Sequence, residues 1–227
     1  MAEMPKGRIG ELEVSRLVLG GSPLQHYVHC RDLRYVASLM AHYNTPDRVL
    51  KTLALAEQHG INTLVCHPSG PDGNTMALLK QHREKNGGKM QWIVATLDPL
   101  EDGLAKYGER VQQLVDQGAD AIYVWGCHTD ALVPQGKTDL VAKAVDLIKA
   151  HSTLCGVAAH ELRVVEECER RKIPADFYIK TFHNHSYPGA KLNYDSMWCS
   201  NPRETAELMK GVQKPWIAFI NSAVSRG

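Results

Sequence analysis

Short β-rich runs alternate with longer stretches of helical period along almost the whole chain, and this alternation permits few folds. Parallel strands cannot be joined by tight turns, so each needs a crossover helix, and a sheet flanked by helices follows. The strands are expected at 15–20, 61–66, 91–97, 121–126, 154–158, 177–182 and 215–219. Thr45-Pro46-Asp47 opens a helix with Val49, Leu50, Leu53, Leu55 and Ala56 on its inner face, and Gly60 ends it. Further helices are expected from the Pro/Gly loop at 68–73 to about Lys85, over 103–117, 138–150 and 162–172, and from Asn201-Pro202, where Asn201 caps and Pro202 starts the first turn. The segment 183–199 is longer than such connections usually are and is the lid candidate.

The chain has 227 residues, 44% of them hydrophobic, which suits one packed core, so a single domain over 1–227 is expected. Lys plus Arg number 26 against 25 Asp plus Glu, a balance that creates no long-range field for nucleic acid or anionic lipid. Apolar runs are short and the N-terminus is polar, so neither a membrane span nor a signal peptide is visible and a cytoplasmic location is expected. The six cysteines form no CxxC pair and read as reduced, mostly buried thiols. Seven βα units form a TIM-barrel-like (β/α)8 fold that is one unit short, because a closed barrel has eight strands. Only 220–227 follow the seventh strand. The first and seventh strands are therefore expected to be open edges that pair between copies, giving a dimer or larger homo-oligomer.

Several segments resemble the aldo-keto reductase family, a (β/α)8 barrel. "LEVSRLVLGG" is similar to its first strand, and "ALAEQHGINTL" to the helix, glycine and second strand. "GADAIYVWGCHTD" is similar to the fourth strand, with its leading Asp, aromatic strand and terminal His-x-Asp, and "LVAKAVDLIKAHSTLCGVA" to the helix, turn and fifth strand. "RDLRYV", "DFYIKTFH" and "KPWIAF" are similar to a divergent bacterial branch of the superfamily, and the resemblance implies that "INSAVSRG" ends the chain before an eighth strand. Chemistry transfers less well than fold. The family works with an Asp, a Tyr, a Lys and a His. The Asp would fall near Val65, the Tyr within 68–73, which holds none, and the Lys at Leu97, leaving His128 as the surviving member. Without Tyr and Lys the carbonyl loses its general acid. Ala158 stands where the resemblance implies a serine, and the nicotinamide phosphate-binding segment would lie in the absent C-terminal part. No nicotinamide cofactor is therefore expected.

Active sites of such barrels form at the C-terminal ends of the strands. Those positions hold Cys66 and His67, Asp98, Cys127 and His128, His160 and Glu161, and then Lys180, His183, His185 and Tyr187. Imidazoles converging on one mouth suit a divalent metal such as Zn, Mn, Ni or Fe, whose open positions activate water. The candidate ligands are His67, His128, His160, His183 and His185, and the candidate catalytic groups are Lys180, His128, Asp98, Glu161 and Tyr187. The expected function is a metal-dependent hydrolase, or a lyase or isomerase, acting on a small polar substrate. The alternatives are an NADPH-dependent oxidoreductase of the aldo-keto reductase type and a non-catalytic, self-associating barrel fragment.

Lys180 is a base or Schiff-base candidate if Tyr178, Lys180 and Phe182 face inward, and lies against a helix in the opposite register. His26, His29, Arg31, Asp32, Arg34 and Tyr35 either clamp an anionic or sugar-like substrate or form an exposed ion-pair cluster. Tyr194 and Trp198 either stack on a ring or pin the long loop to the rim. No GxGxxG after a strand, GxxxxGK[ST], GxSxG or HExxH is present.

Overall fold

The computed structural model describes residues 3–27, 35–68, 75–100, 103–183 and 199–219. It opens with an antiparallel hairpin, β1 (Lys6–Ile9) and β2 (Leu12–Ser15), turning at Gly10, whose φ of +52° suits a residue without a Cβ. This hairpin corrects the first strand expected from the sequence. Ser15 ends β2, and the barrel strand that follows, β3, is only Leu19–Gly20.

Helices α1 (Tyr35–Tyr43) and α2 (Pro46–Gln58) come next, followed by β4 (Thr63–Cys66), α3 (Thr75–Lys85), β5 (Gln91–Thr96), α4 (Ala105–Asp116) and β6 (Ala121–Val124). A short helix, α5 (Gly126–Leu132), precedes α6 (Thr138–Ala150), β7 (Leu154–Ala159), α7 (Leu162–Arg170), β8 (Phe177–Thr181), α8 (Pro202–Gly211) and β9 (Trp216–Phe219). Strands β3 to β9 pair in parallel and in sequence order, forming a curled seven-stranded sheet, an incomplete (β/α)8 barrel. Among the described residues β3 and β9 are its two edges.

Two apolar layers account for the curl. Outside, Leu64, Trp92, Val94, Ile122, Val124, Cys155, Val157 and Tyr178 pack beneath the helices. Inside, Val65, Ile93, Ala95, Ala121, Tyr123, Phe177 and Ile179 fill the concave face, and Ile9 and Val14 of the hairpin plug it. Gly156 is required there: a Cβ would stand 2.4 Å from the Phe177 ring. Burial on both faces explains why β5 and β6 read as nearly continuous apolar runs.

Helix starts follow the expected chemistry. Pro46 opens α2, and Asn201 Oδ1 accepts the Glu204 N–H at 3.3 Å at the start of α8. Leu55, expected on the inner face of α2, is instead 54% exposed, while Val49, Leu50, Leu53 and Ala56 are buried. Alternate strands carry an amide or carboxylate just before their first residue. Asn62 accepts the Ser15 N–H at 2.8 Å; Asp120 takes the Trp92 N–H and Arg83, both at 2.7 Å; Asp176 takes the Cys155 N–H at 2.8 Å and Lys149 at 2.7 Å. Four of the five described cysteines are buried and all five are free thiols. Among the described residues no helix is long and apolar enough to cross a membrane.

Candidate active site

Side-chain alternation along the strands sets which residues reach the mouth. Val65, Tyr123 and Ala158 belong to the inner layer, while Cys66, Val124 and Ala159 belong to the outer one. Continued one step past the strand ends, this two-residue period puts His67, Trp125 and His160 on the inner side. All three line a cavity of about 120 Å³ at the C-terminal ends of the strands. That is close to the roughly 150 Å³ that admits benzene, so the described walls suit a substrate of small-ring size.

Asp130, on α5, is the carboxylate of this site. Its Oδ2 lies 2.6 Å from His160 Nδ1, both of its oxygens accept the His160 N–H at 3.1 Å, and Oδ1 accepts the Glu161 N–H at 3.0 Å. A carboxylate engaged with backbone donors acts as acceptor, so Nδ1 donates and Nε2 is the basic nitrogen of the neutral ring. Both side chains are only 11% exposed, which limits solvent screening of the pair. Thr129 ties α5 to the strand end by donating to the Ala158 carbonyl at 2.6 Å. Gly126 leaves room for the ring, since a Cβ there would stand 3.2 Å from His160 Cε1.

His67 is held through its main chain. Gln25, 3% exposed, accepts the His67 N–H at 3.0 Å and donates to the His67 carbonyl at 2.6 Å. The His67 ring meets Tyr27 edge to face at 5.2 Å and Trp125 at 6.2 Å, so aromatic surface flanks it on two sides. Cys66 also borders the cavity, but burial pushes its thiol up to about 12, which leaves it protonated and unsuited to nucleophilic attack.

The other expected site residues lie elsewhere. His128 sits within α5, half-buried and off the cavity lining, and Trp125 occupies the strand-end position expected for it. Burial pulls the His128 imidazole below its usual value, and Asp98 opposes that shift. Asp98 pairs with Arg110 at 2.9 Å. Glu161 stands at the N-cap position of α7. His183 lies just past β8, where its carbonyl accepts the Cys199 N–H at 2.9 Å. Lys180 shares the outward register of Tyr178, so the inward alternative for this lysine is overturned, with Phe177 and Ile179 taking the interior instead.

Val65 and Leu97, where the resemblance implies the reductase Asp and Lys, pack against the inner layer. His26 Nε2 lies 3.2 Å from the Asn44 carbonyl, and Tyr35 is exposed on α1. His185, Tyr187, Tyr194, Trp198, His29, Arg31, Asp32 and Arg34 lie outside the described residues. Among the described residues no three His, Cys, Asp or Glu side chains come together to hold a metal ion, so His67, His128, His160 and His183 do not form the expected ligand cluster. Asp130, Gln25 and Trp125 were missed. The only sequence signal for Asp130 was its place in the His-x-Asp that ends the fourth barrel segment.

No protein-family model matches the sequence, and no curated protein matches it. Solved structures do. The chain is similar to aldo-keto reductase AKR11C1 from Bacillus halodurans in its holo form, with a TM-score of 0.64 at 13% identity over 95% of this chain and 66% of that one. It is similar to glycerol dehydrogenase AKR11B4 from Gluconobacter oxydans, with a TM-score of 0.52 at 13% identity over 78% and 54%. An aldo-keto reductase from Pseudomonas aeruginosa gives 0.55 at 18% identity over 96% and 88%. The fold is that of the aldo-keto reductases. The chain spans less than two thirds of the first two of these aldo-keto reductase-like structures. Among the described residues no Lys or Arg lines the cavity, and the inward residue at the end of β7 is Ala158.

Proposed function

We propose that this chain moves protons on a small carbonyl or hydroxy-carbonyl compound at the barrel mouth. His160 is the acid–base group, Asp130 orients it, and His67 donates to the carbonyl oxygen. The observation that carries this reading is the 2.6 Å contact between Asp130 and His160 Nδ1 beside a small cavity. Proton abstraction next to a carbonyl by His160 Nε2 leaves an enolate, whose developing charge a donor at His67 stabilises. Asp130 stabilises the imidazolium that forms. Returning the proton to the neighbouring carbon while the hydroxyl proton passes to the former carbonyl oxygen isomerises the substrate, and loss of a β-hydroxyl as water, protonated by the imidazolium, makes the same step a lyase reaction.

Nicotinamide-dependent reduction of a carbonyl is the second reading, favoured by the likeness in fold to aldo-keto reductases. One experiment separates the two: a panel of small hydroxy-aldehydes and ketones in deuterated water, with and without NADPH, followed by NMR. Deuterium incorporation without cofactor, abolished in His160→Gln, is the expected result. NADPH oxidation with no cofactor-free exchange would replace proton transfer by reduction. The metal-dependent hydrolase reading lacks a ligand cluster among the described residues. Stoichiometric Zn, Mn, Ni or Fe, lost together with a hydrolytic activity on chelation, would restore it.

Association of copies through the β3 and β9 edges is a separate proposal, supported by the lack of a neighbour at either edge among the described residues and by Leu17, 58% exposed beside β3. A solution mass of a single 25.2 kDa chain at micromolar concentration would remove it.

A further inference from the structure

Lys180 is the one lysine with no exposed surface among the described residues, and the proposed proton transfer leaves it without a task. Its ammonium donates to the His160 carbonyl at 2.6 Å, the Thr181 carbonyl at 2.8 Å and Thr181 Oγ1 at 3.2 Å. Thr181 Oγ1 in turn donates to the His160 carbonyl at 3.1 Å. Three oxygen acceptors match the three donors of an ammonium, whereas a neutral amine would leave one unfilled. Burial pulls the amine below its ordinary value, opposed by Cys199, Asp130 and Glu161.

The last pair in register between β7 and β8 is Ala159 with Lys180, so the His160 carbonyl lies one residue beyond the ladder. The Lys180 side chain supplies the bond that a further strand residue would have made. We propose that Lys180 is a positioning residue for His160, pinning its carbonyl while Asp130 pins its N–H and Nδ1. The inference rests on the reading of His160 as the acid–base group. The residue is thereby held between α5 on one side and β8 on the other, at its N–H, its Nδ1 and its carbonyl. A catalytic base must be kept within a fraction of an ångström of its working geometry, and a chain end past the ladder would otherwise fray.

The test is the Nδ1 proton of His160, read by NMR on protein labelled with ¹⁵N-histidine and assigned by its loss in Asp130→Asn. In Lys180→Met, exchange of this proton with water is expected to accelerate about 10- to 100-fold, the factor matching one lost charge-assisted hydrogen bond. Asp120→Asn, at the opposite end of the strands, is expected to weaken the fold and leave this proton at the wild-type rate. That separates positioning from general destabilisation. If Lys180→Met does not fold, Lys180→Gln and Thr181→Val are compared, and Lys180→Gln must accelerate exchange more. Wild-type exchange in folded Lys180→Met, or the reverse order in the second pair, overturns the proposal. Faster exchange with unchanged turnover would keep Lys180 in this role and remove His160 from the chemistry.

Discussion

The two ends of the strands use the same carboxylate device with different partners. Where strands begin, Asp120 and Asp176 each accept one backbone N–H from the neighbouring strand and one basic side chain, Arg83 or Lys149. Where strands end, Asp130 accepts two backbone N–H groups and an imidazole instead. Arg83 is further committed by stacking 3.6 Å over the Trp92 ring and by bonding the Gly118 and Met90 carbonyls. A cation tied down at four points can only hold structure. An imidazole beside a cavity can do chemistry with the same anchor.

The comparison breaks first at His160. His160→Gln is expected to lower turnover by roughly 10²- to 10⁴-fold with the fold intact, checked by initial rates alongside circular dichroism. Equal activity in the variant would make the mouth carboxylate as purely structural as the others. Asp120→Asn should do the opposite, costing roughly 1.5–3 kcal/mol in urea unfolding while turnover per folded molecule stays at the wild-type level. A matching loss of turnover would mean that the strand starts and the mouth are coupled.

Gly126→Ala sharpens the comparison within the mouth, because its methyl would crowd the His160 ring without touching any bond at the strand starts. Turnover is expected to drop about tenfold with less than about 1 kcal/mol lost in stability. The smallest effect concerns thiols. Burial pushes the Cys66 and Cys168 thiols up to about 12 and keeps them from solvent; the Cys127 thiol is raised as well but is exposed, so it should be the first described cysteine alkylated. Mass spectrometry of peptides from the native protein checks this, and early labelling of Cys66 would show that the mouth opens.

Much of the sheet was legible in the residues. Strands β4 to β9 fall within two residues of the expected spans, since apolar runs closed by Gly, Asn or Asp have few other uses. The hairpin was not, because "KGRIGELEVS" alternates only weakly and its buried members, Ile9 and Val14, find their partners in the distant inner layer. The same gap separates the expected site from the one observed. Asp98, Glu161 and Lys180 stand at or near strand ends as expected, yet an ion pair, a cap position and the outward register take them away from the cavity, while His128 falls in the helix beyond its strand.

The order of amino acids by itself determined that this chain forms parallel strands joined by helices, because hydrophobic period and turn residues act locally. It also determined that neighbouring strand-end side chains point to opposite faces. Which of each pair points inward was decided only by tertiary structure, because a period of two is symmetric until one face finds the core. That choice brought His67 and His160 to the mouth and sent Lys180 beneath the helices. It also set Asp130 beside His160 across thirty residues of chain, a contact that no local pattern encodes.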